Sequence, residues 1–374
     1  MRVPSDTAML FCARGGLRMQ LAYERFIAAS GLPNEVHIAP LMVSRVVAIK
    51  PTLVRSLSTS AEALSPAAAD TLRYEFSDMS LGEVTTALSR LEPPGGRSGM
   101  WDEPFTVERF AAQLRGPDAR SVVAAIGTQA HLFEQQLRDA LGGRSRAILV
   151  DTGLFGTTAQ LLMEGFPDIQ FSSALIARAN YRRSAAPHYA RTFGLSVEAD
   201  LYSPLDRRTA LLRYWHLVES VFEPQLPSVK EFELVRDRVR SNLEREGWEE
   251  LVAPAAGTLF AGVLDYIDAL PERPAARVTG DAERAWSTLH RSLIWPDQEI
   301  GEVLDVGRRS NDFGTDDTSL AREWRGPIAA LRGGSIWREG EIARARTPLR
   351  LPLLALIETA YGLRRVKRFI FRGP

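Results

Sequence analysis

Along the first 205 positions, short apolar runs alternate with glycine turns and amphipathic stretches, the pattern of strands followed by helices. Met9-Leu-Phe-Cys-Ala13 reads as a strand. Arg14-Gly15-Gly16-Leu17 turns it into a segment with apolar residues at Leu17, Leu21, Ala22, Phe26 and Ile27, one face of a helix. Leu41-Met-Val-Ser-Arg45 is expected to be the next strand, ending in Ser44 and Arg45. Ala147-Ile-Leu-Val150 then runs straight into Asp151. A Gly/Thr loop follows, Thr152-Gly-Leu-Phe-Gly-Thr-Thr158, and then the helix-like Ala159-Gln-Leu-Leu-Met163. Ile169 to Ala177 has the apolar content of a further strand, closing at Arg178-Ala-Asn180.

Between the second and third of these strands the chain is helical in composition. Residues 51–95 include a Ser/Ala-rich stretch from Ser56 to Asp70. Glu92-Pro-Pro-Gly-Gly-Arg-Ser-Gly99 is a breaker, and Phe105 to Leu141 reads as two helices, with Pro104 near a start and Gly142-Gly143 at the end. Such alternation predicts an α/β fold with a parallel sheet, a core over 1–205 and a helical insertion at about 51–140. Residues 206–374 are expected to form a mainly helical C-terminal region. Its helices are placed at Thr209–Phe222, at Val229–Leu270 with interruptions, and at Ala282–Leu293. Residues 296–345 read as charged and irregular, with a loop at Asn311–Asp317.

Composition narrows the partners. The 374 residues carry a formal net charge of zero, ample for a sizeable core and without a global drive toward nucleic acid. The positive charge is almost all arginine, which suits bidentate phosphate contacts and equally reflects a GC-rich coding bias. The single cysteine, Cys12, lies inside an apolar run and reads as a buried structural thiol. No signal peptide opens the chain and no apolar run reaches membrane-spanning length, so a cytoplasmic location is expected. The tail from Leu349 to Phe371 ends in Arg364, Arg365, Lys367, Arg368 and Arg372. It suits either a terminal helix with a solvated basic end or contact with an anionic membrane surface.

The chemistry gathers where strands end. A buried strand that turns through glycines into a helix brings backbone N–H groups and the positive helix end to an anion. Gly153 and Gly156 would let the backbone approach. Thr157 and Thr158 would donate to phosphate oxygens, one of them also capping the helix. Asp151 sits where open α/β sheets bind ligands, able to hold ribose hydroxyls or a metal-bound water; its plainer role is to cap the following helix. Arg14, Arg45 and Asp151, with two glycine loops, form a cradle for a ligand with two phosphate groups and a sugar between them.

At these residues the chain resembles the type I phosphoribosyltransferases. The resemblance implies that Arg14, Gly15 and Gly16 form a pyrophosphate turn and that Asp151 contacts the ribose. It implies that Thr152, Gly153, Gly156, Thr157 and Thr158 form the 5′-phosphate loop, with Mg²⁺ accompanying the pyrophosphate. The chain departs from that family in having Thr152 where a second acidic residue is usual, a loop about one residue short, and a long interval between the two motifs. A second resemblance runs over residues 9–232, through Phe11–Gly16, Leu41–Arg45, Val150–Thr157 and Leu217-Val-Glu219. These look like the region following the hydrolase domain in predicted bacterial haloacid-dehalogenase-type proteins linked with surface polysaccharide loci. No Asp-x-Asp nucleophile motif precedes residue 147, and Gly15 stands where that pattern has Asp.

The expected function is therefore a phosphoribosyltransferase-like enzyme acting on a phosphorylated ribose donor, a small-molecule phosphorylated sugar, with release of pyrophosphate and with Arg14, Arg45 and Asp151 as its catalytic residues. The alternative is a non-catalytic nucleotide- or sugar-phosphate-binding module in surface glycan synthesis. The histidines His37, His131, His188, His216 and His290 show no zinc-ligand spacing. His188 is expected at the surface. His216 and Glu219 share a helix face, with Glu219 a candidate second carboxylate. Asp316-Asp317 reads as a solvated loop.

Overall fold

The computed structural model of the protein describes residues 5–59, 63–93, 99–180, 187–245, 247–272, 275–304, 308–310, 318–320 and 337–372. The expected loops at 94–98 and 311–317 lie outside them, as do Arg182, Arg183 and the side chains of Arg365, Arg368 and Arg372.

A five-stranded parallel sheet forms the centre, with strands β1 (Thr7–Cys12), β2 (His37–Leu41), β3 (Arg146–Asp151), β4 (Gln170–Arg178) and β5 (Thr192–Glu198) in the order β2-β1-β3-β4-β5. Alternate residues of the central strands feed two apolar layers, as the period of a pleated strand requires. Ala8, Leu10, Cys12, Ala147 and Leu149 pack into one layer, and Met9, Phe11, Ile148 and Val150 into the other. A sheet covered on both faces explains why these strands read as continuous apolar runs.

Helix α1 (Gly15–Ser30) leads from β1 to β2 and covers the second layer with Met19 and Tyr23. Five helices separate β2 from β3: α2 (Arg45–Ser58), α3 (Pro66–Glu75), α4 (Leu81–Ser89), α5 (Val107–Arg115) and α6 (Arg120–Leu141). Of these, α2 and α6 pack on each other and on the first layer. Helix α7 (Thr157–Gly165) joins β3 to β4. From β1 the chain steps one way to β2, whereas from β3 it steps the other way to β4 and β5. The ends of β1 and β3 therefore flank the point where the winding reverses, the place where open α/β sheets hold ligands.

Two local expectations change. The second strand is His37–Leu41 rather than Leu41–Arg45. Ser44 ends the connection by capping α2: its Oγ accepts from the Val47 N–H at 3.2 Å and donates to the Val229 carbonyl at 2.6 Å. Arg45 is thus the first residue of a helix, still at the carboxyl edge of the sheet. Gly15 and Gly16 likewise open α1, with Arg14 at its N-cap.

Beyond residue 205 the chain is mostly helical. The segment expected at Thr209–Phe222 breaks at Tyr214 into α8 (Ala210–Arg213) and α9 (Trp215–Phe222). The segment expected to be helical from Val229 opens with an antiparallel hairpin, β6 (Phe232–Val235) and β7 (Arg238–Ser241), turned by Arg236 and Asp237 at φ of 48° and 62°. Helices α10 (Asn242–Arg245), α11 (Trp248–Val252), α12 (Leu259–Asp268), α13 (Ala275–Ile294), α14 (Gln298–Val303), α15 (Arg338–Arg344) and α16 (Arg350–Arg372) follow, with a short strand pair at Arg308–Ser310 and Thr318–Leu320. Helix α16 buries Leu354 and Ile357 against Ile342 and leaves Leu351, Leu356 and Leu363 exposed. Among the described residues no helix is long and apolar enough to cross a membrane.

Candidate functional site at the reversal point of the sheet

The two glycine turns expected to meet do so. A Cβ on Gly15 would lie 2.5 Å from Cγ2 of Thr152, and one on Gly16 would lie 2.8 Å from the Val150 carbonyl oxygen. The start of α1 is thus pressed onto the end of β3 closely enough that side chains are excluded at both positions. That contact sets Arg14 beside the Asp151 turn.

Side chains from five elements gather there. Arg14, at the N-cap of α1, pairs with Glu223 at 3.2 Å, both about four-fifths buried. Arg45 pairs with Glu75 at the end of α3; the glutamate is 3% exposed and the arginine 40%. Asp151 ends β3, and its Oδ1 accepts the Thr152 N–H at 2.7 Å. The Thr152 hydroxyl reaches Glu219 Oε1 at 3.5 Å, and His216 Nδ1 stands 3.7 Å from Glu219 Oε2. Helix α9 delivers Glu219 at the edge of an apolar stripe, Trp215, Val218 and Phe222, which anchors the helix in the layer with Phe11 and Val150. Glu223 follows four residues later, one helical turn on.

The electrostatics follow from this crowding. Burial raises the Asp151 carboxyl to about 6. The Thr152 N–H, Arg45 and Arg14 oppose that rise, and Glu223 adds to it. Burial also raises Glu219, to about 8, helped by Glu223 and Asp151 and opposed by Arg14 and Arg45. Arg14 and Arg45 thus act on both carboxyls, so the two arginines, Asp151 and Glu219 lie within electrostatic reach of one another at the carboxyl edge of the sheet. Burial, with the charge of Asp151, lifts the Cys12 thiol well above its ordinary value, so this buried thiol is no nucleophile at neutral pH. Carboxyls held near neutral proton affinity in a cleft are suited to binding and proton transfer.

The loop after Asp151 partly departs from expectation. Gly156, not a threonine, occupies the N-cap of α7, at φ +75°, and no side chain caps the helix. Thr157 and Thr158 are its first two residues. Asp151 does not cap it either, which removes the plainer reading of that residue. Phe155 is buried, and its carbonyl lies 2.9 Å from His188 Nε2. His188, expected at the surface, is 2% exposed and packs edge-on to Phe155 at 5.1 Å. It supports the loop from beneath. Gly156 sits against Thr192, Ser173 and His188. Gly153 lies beside Asp151, its added Cβ 3.6 Å from Oδ2.

Glu75 and Glu223 join the site without having been foreseen. Glu223 was findable, one helical turn beyond Glu219. Glu75 was not, because its 30-residue separation from Arg45 follows no period. No protein-family model matches the chain, and no curated protein matches it.

Proposed function

We propose that the protein is a phosphoribosyltransferase-like enzyme that takes a phosphorylated ribose donor and releases pyrophosphate. The observation that supports this most is that Arg14 at the N-cap of α1, Arg45 at the start of α2 and Asp151 at the end of β3 lie within electrostatic reach of one another at the reversal point of the sheet. Arg14 and Arg45 would bind the pyrophosphate and stabilise the charge that grows on it as the anomeric carbon–oxygen bond breaks. Both arginines already sit in position against Glu223 and Glu75, so little reorganisation accompanies the anion's arrival. Asp151 would orient the ribose hydroxyls, while the N–H groups opening α7, with Thr157 and Thr158, take the 5′-phosphate.

Two guanidinium groups meet four carboxyls here, Asp151, Glu219, Glu223 and Glu75, so a bare polyanion is poorly matched to the crevice. A Mg²⁺ carried on the donor's own pyrophosphate and ribose oxygens fits that balance. It would neutralise part of the ligand's charge without an all-protein cage. Among the described residues no three His, Cys, Asp or Glu side chains form a ready metal-ligand set.

Calorimetric titration with phosphoribosyl pyrophosphate and Mg²⁺ tests the reading. Saturable binding that Asp151→Ala abolishes supports it; no binding at millimolar ligand overturns it. The arginine–glutamate pairs also favour a second reading, a sugar-phosphate-binding module without turnover. Binding without release of pyrophosphate in the presence of any acceptor selects that one.

A further inference from the structure

Glu219 is given no contact with the ligand in the reading above, yet it belongs to the same cluster. It enters from α9, facing the ends of β1 and β3, with its side chain 15% exposed. Several neighbouring elements present charged or titratable groups to it or to its partners. The β1–α1 turn brings Cys12 and Arg14, α2 brings Arg45, which is held by Glu75 of α3, and β3 brings Asp151. Its own helix adds His216 and, just past the end, Glu223. The Thr152 hydroxyl touches one of its oxygens. An ionised Glu219 would be a third carboxylate beside Asp151 and Glu223 at the last turn of a helix, where the helix end is itself negative. Its proton relieves both repulsions.

We infer that Glu219 works as a neutral carboxylic acid that donates a hydrogen bond to the anionic group bound between Arg14 and Arg45. A protonated carboxyl keeps one oxygen to accept from Thr152 and turns an O–H toward the ligand. A carboxylate in its place would repel that ligand. The arginines thus supply charge and Glu219 supplies an uncharged donor, which lets an anion sit among acidic residues. Burial together with Glu223 and Asp151 raises the proton affinity of Glu219 enough to keep this form at neutral pH. The inference rests on the anion-binding part of the proposed function and names a further ligand-binding residue within it.

The test uses inorganic pyrophosphate with Mg²⁺ as the probe, the full chain, and Glu219→Gln, whose side chain is neutral and donates at every pH. Between pH 7 and pH 9 the ratio of the wild-type Kd to the Glu219→Gln Kd is expected to rise about tenfold as one proton is lost. An unchanged ratio overturns the inference while leaving the proposed function standing. Pyrophosphate that binds neither protein at any pH overturns both the donor role and the phosphoribosyl reading. Melting curves without ligand separate the proton from the ligand. If Glu219 holds its proton, wild type loses stability relative to Glu219→Gln as pH rises from 5 to 8. Parallel curves mean that Glu219 is ionised throughout, and the inference falls.

Discussion

Two clusters in this molecule use the same residue types for opposite ends. At the reversal point of the sheet, Arg14 and Arg45 stand among Asp151, Glu219, Glu223 and Glu75. Behind it, Arg213 at the end of α8 pairs with Glu339 of α15 and Glu358 of α16. There Tyr214 donates to Glu339 and Tyr202 to Glu358, and the Tyr361 ring lies 3.9 Å from the guanidinium carbon. This second cluster is closed: Arg213 is 3% exposed and Glu339 1%. It pins the start of α9 to the C-terminal helices and so fixes the helix that carries Glu219. The first cluster is open, with Arg45 40% and Arg14 20% exposed, and its carboxyls crowd one another. Closure marks a charged cluster that holds a fold together. On the proposed reading, crowding at an accessible edge marks one that is kept for a ligand at a cost in stability.

That contrast is most sharply broken or upheld by stability measurements. Arg213→Ala strands two buried glutamates and is expected to cost about 3–5 kcal/mol in denaturant unfolding. A loss below about 1 kcal/mol would make the closed cluster dispensable. Asp151→Asn goes the other way, removing a carboxyl that burial disfavours. It should stabilise the protein by about 1–3 kcal/mol at pH 7.5 while abolishing binding of the phosphorylated donor. Gly16→Ala drives a Cβ against the Val150 carbonyl and should destabilise by about 1–3 kcal/mol, read as a lower melting temperature. Arg14→Ala is the mildest for the fold, at about 1–2 kcal/mol by the same unfolding assay, because it takes one partner from the mostly buried Glu223, which keeps some contact with water.

The two clusters share one direction of pH dependence. Asp151 rises from 3.8 to about 6, Glu219 from 4.5 to about 8 and Glu339 from 4.5 to about 7, in each case mainly through burial. The folded chain therefore keeps protons that the unfolded chain releases above about pH 4. The stability these groups contribute is complete below that pH and is lost as pH climbs toward 8. Asp151→Asn should flatten the part of the curve below about pH 6. Wild-type and variant melting temperatures that keep a constant difference from pH 4 to 8 would contradict the assignment.

The sequence made the centre of the fold legible because β1 and β3, covered on both faces, read as near-continuous apolar runs, and β4 keeps an apolar second half from Ala174 to Ala177. The helices α5 and α6 were legible from their breakers. The hairpin at Phe232–Ser241 was hidden. Its turn residues, Arg236 and Asp237, are not glycines, and its alternating charges imitate an exposed helix. Strand β5 was hidden for a related reason, since an edge strand with Phe193 and Leu195 exposed has no clean inward face. Within the site, the residues next to glycine turns were readable because the turns announce them. Glu75 became visible only when folding set α3 beside Arg45, and the closed Arg213 cluster joins residues 126 and 145 positions apart.

The account's central claim is that one ligand spans the arginines and Asp151 where the winding of the sheet reverses. Its most direct test is a crystal structure of the protein soaked with phosphoribosyl pyrophosphate and Mg²⁺. The account predicts pyrophosphate density between Arg14 and Arg45, with the ribose hydroxyls on Asp151. Density on another face of the sheet, or a saturating soak that leaves this crevice filled by water, would contradict it.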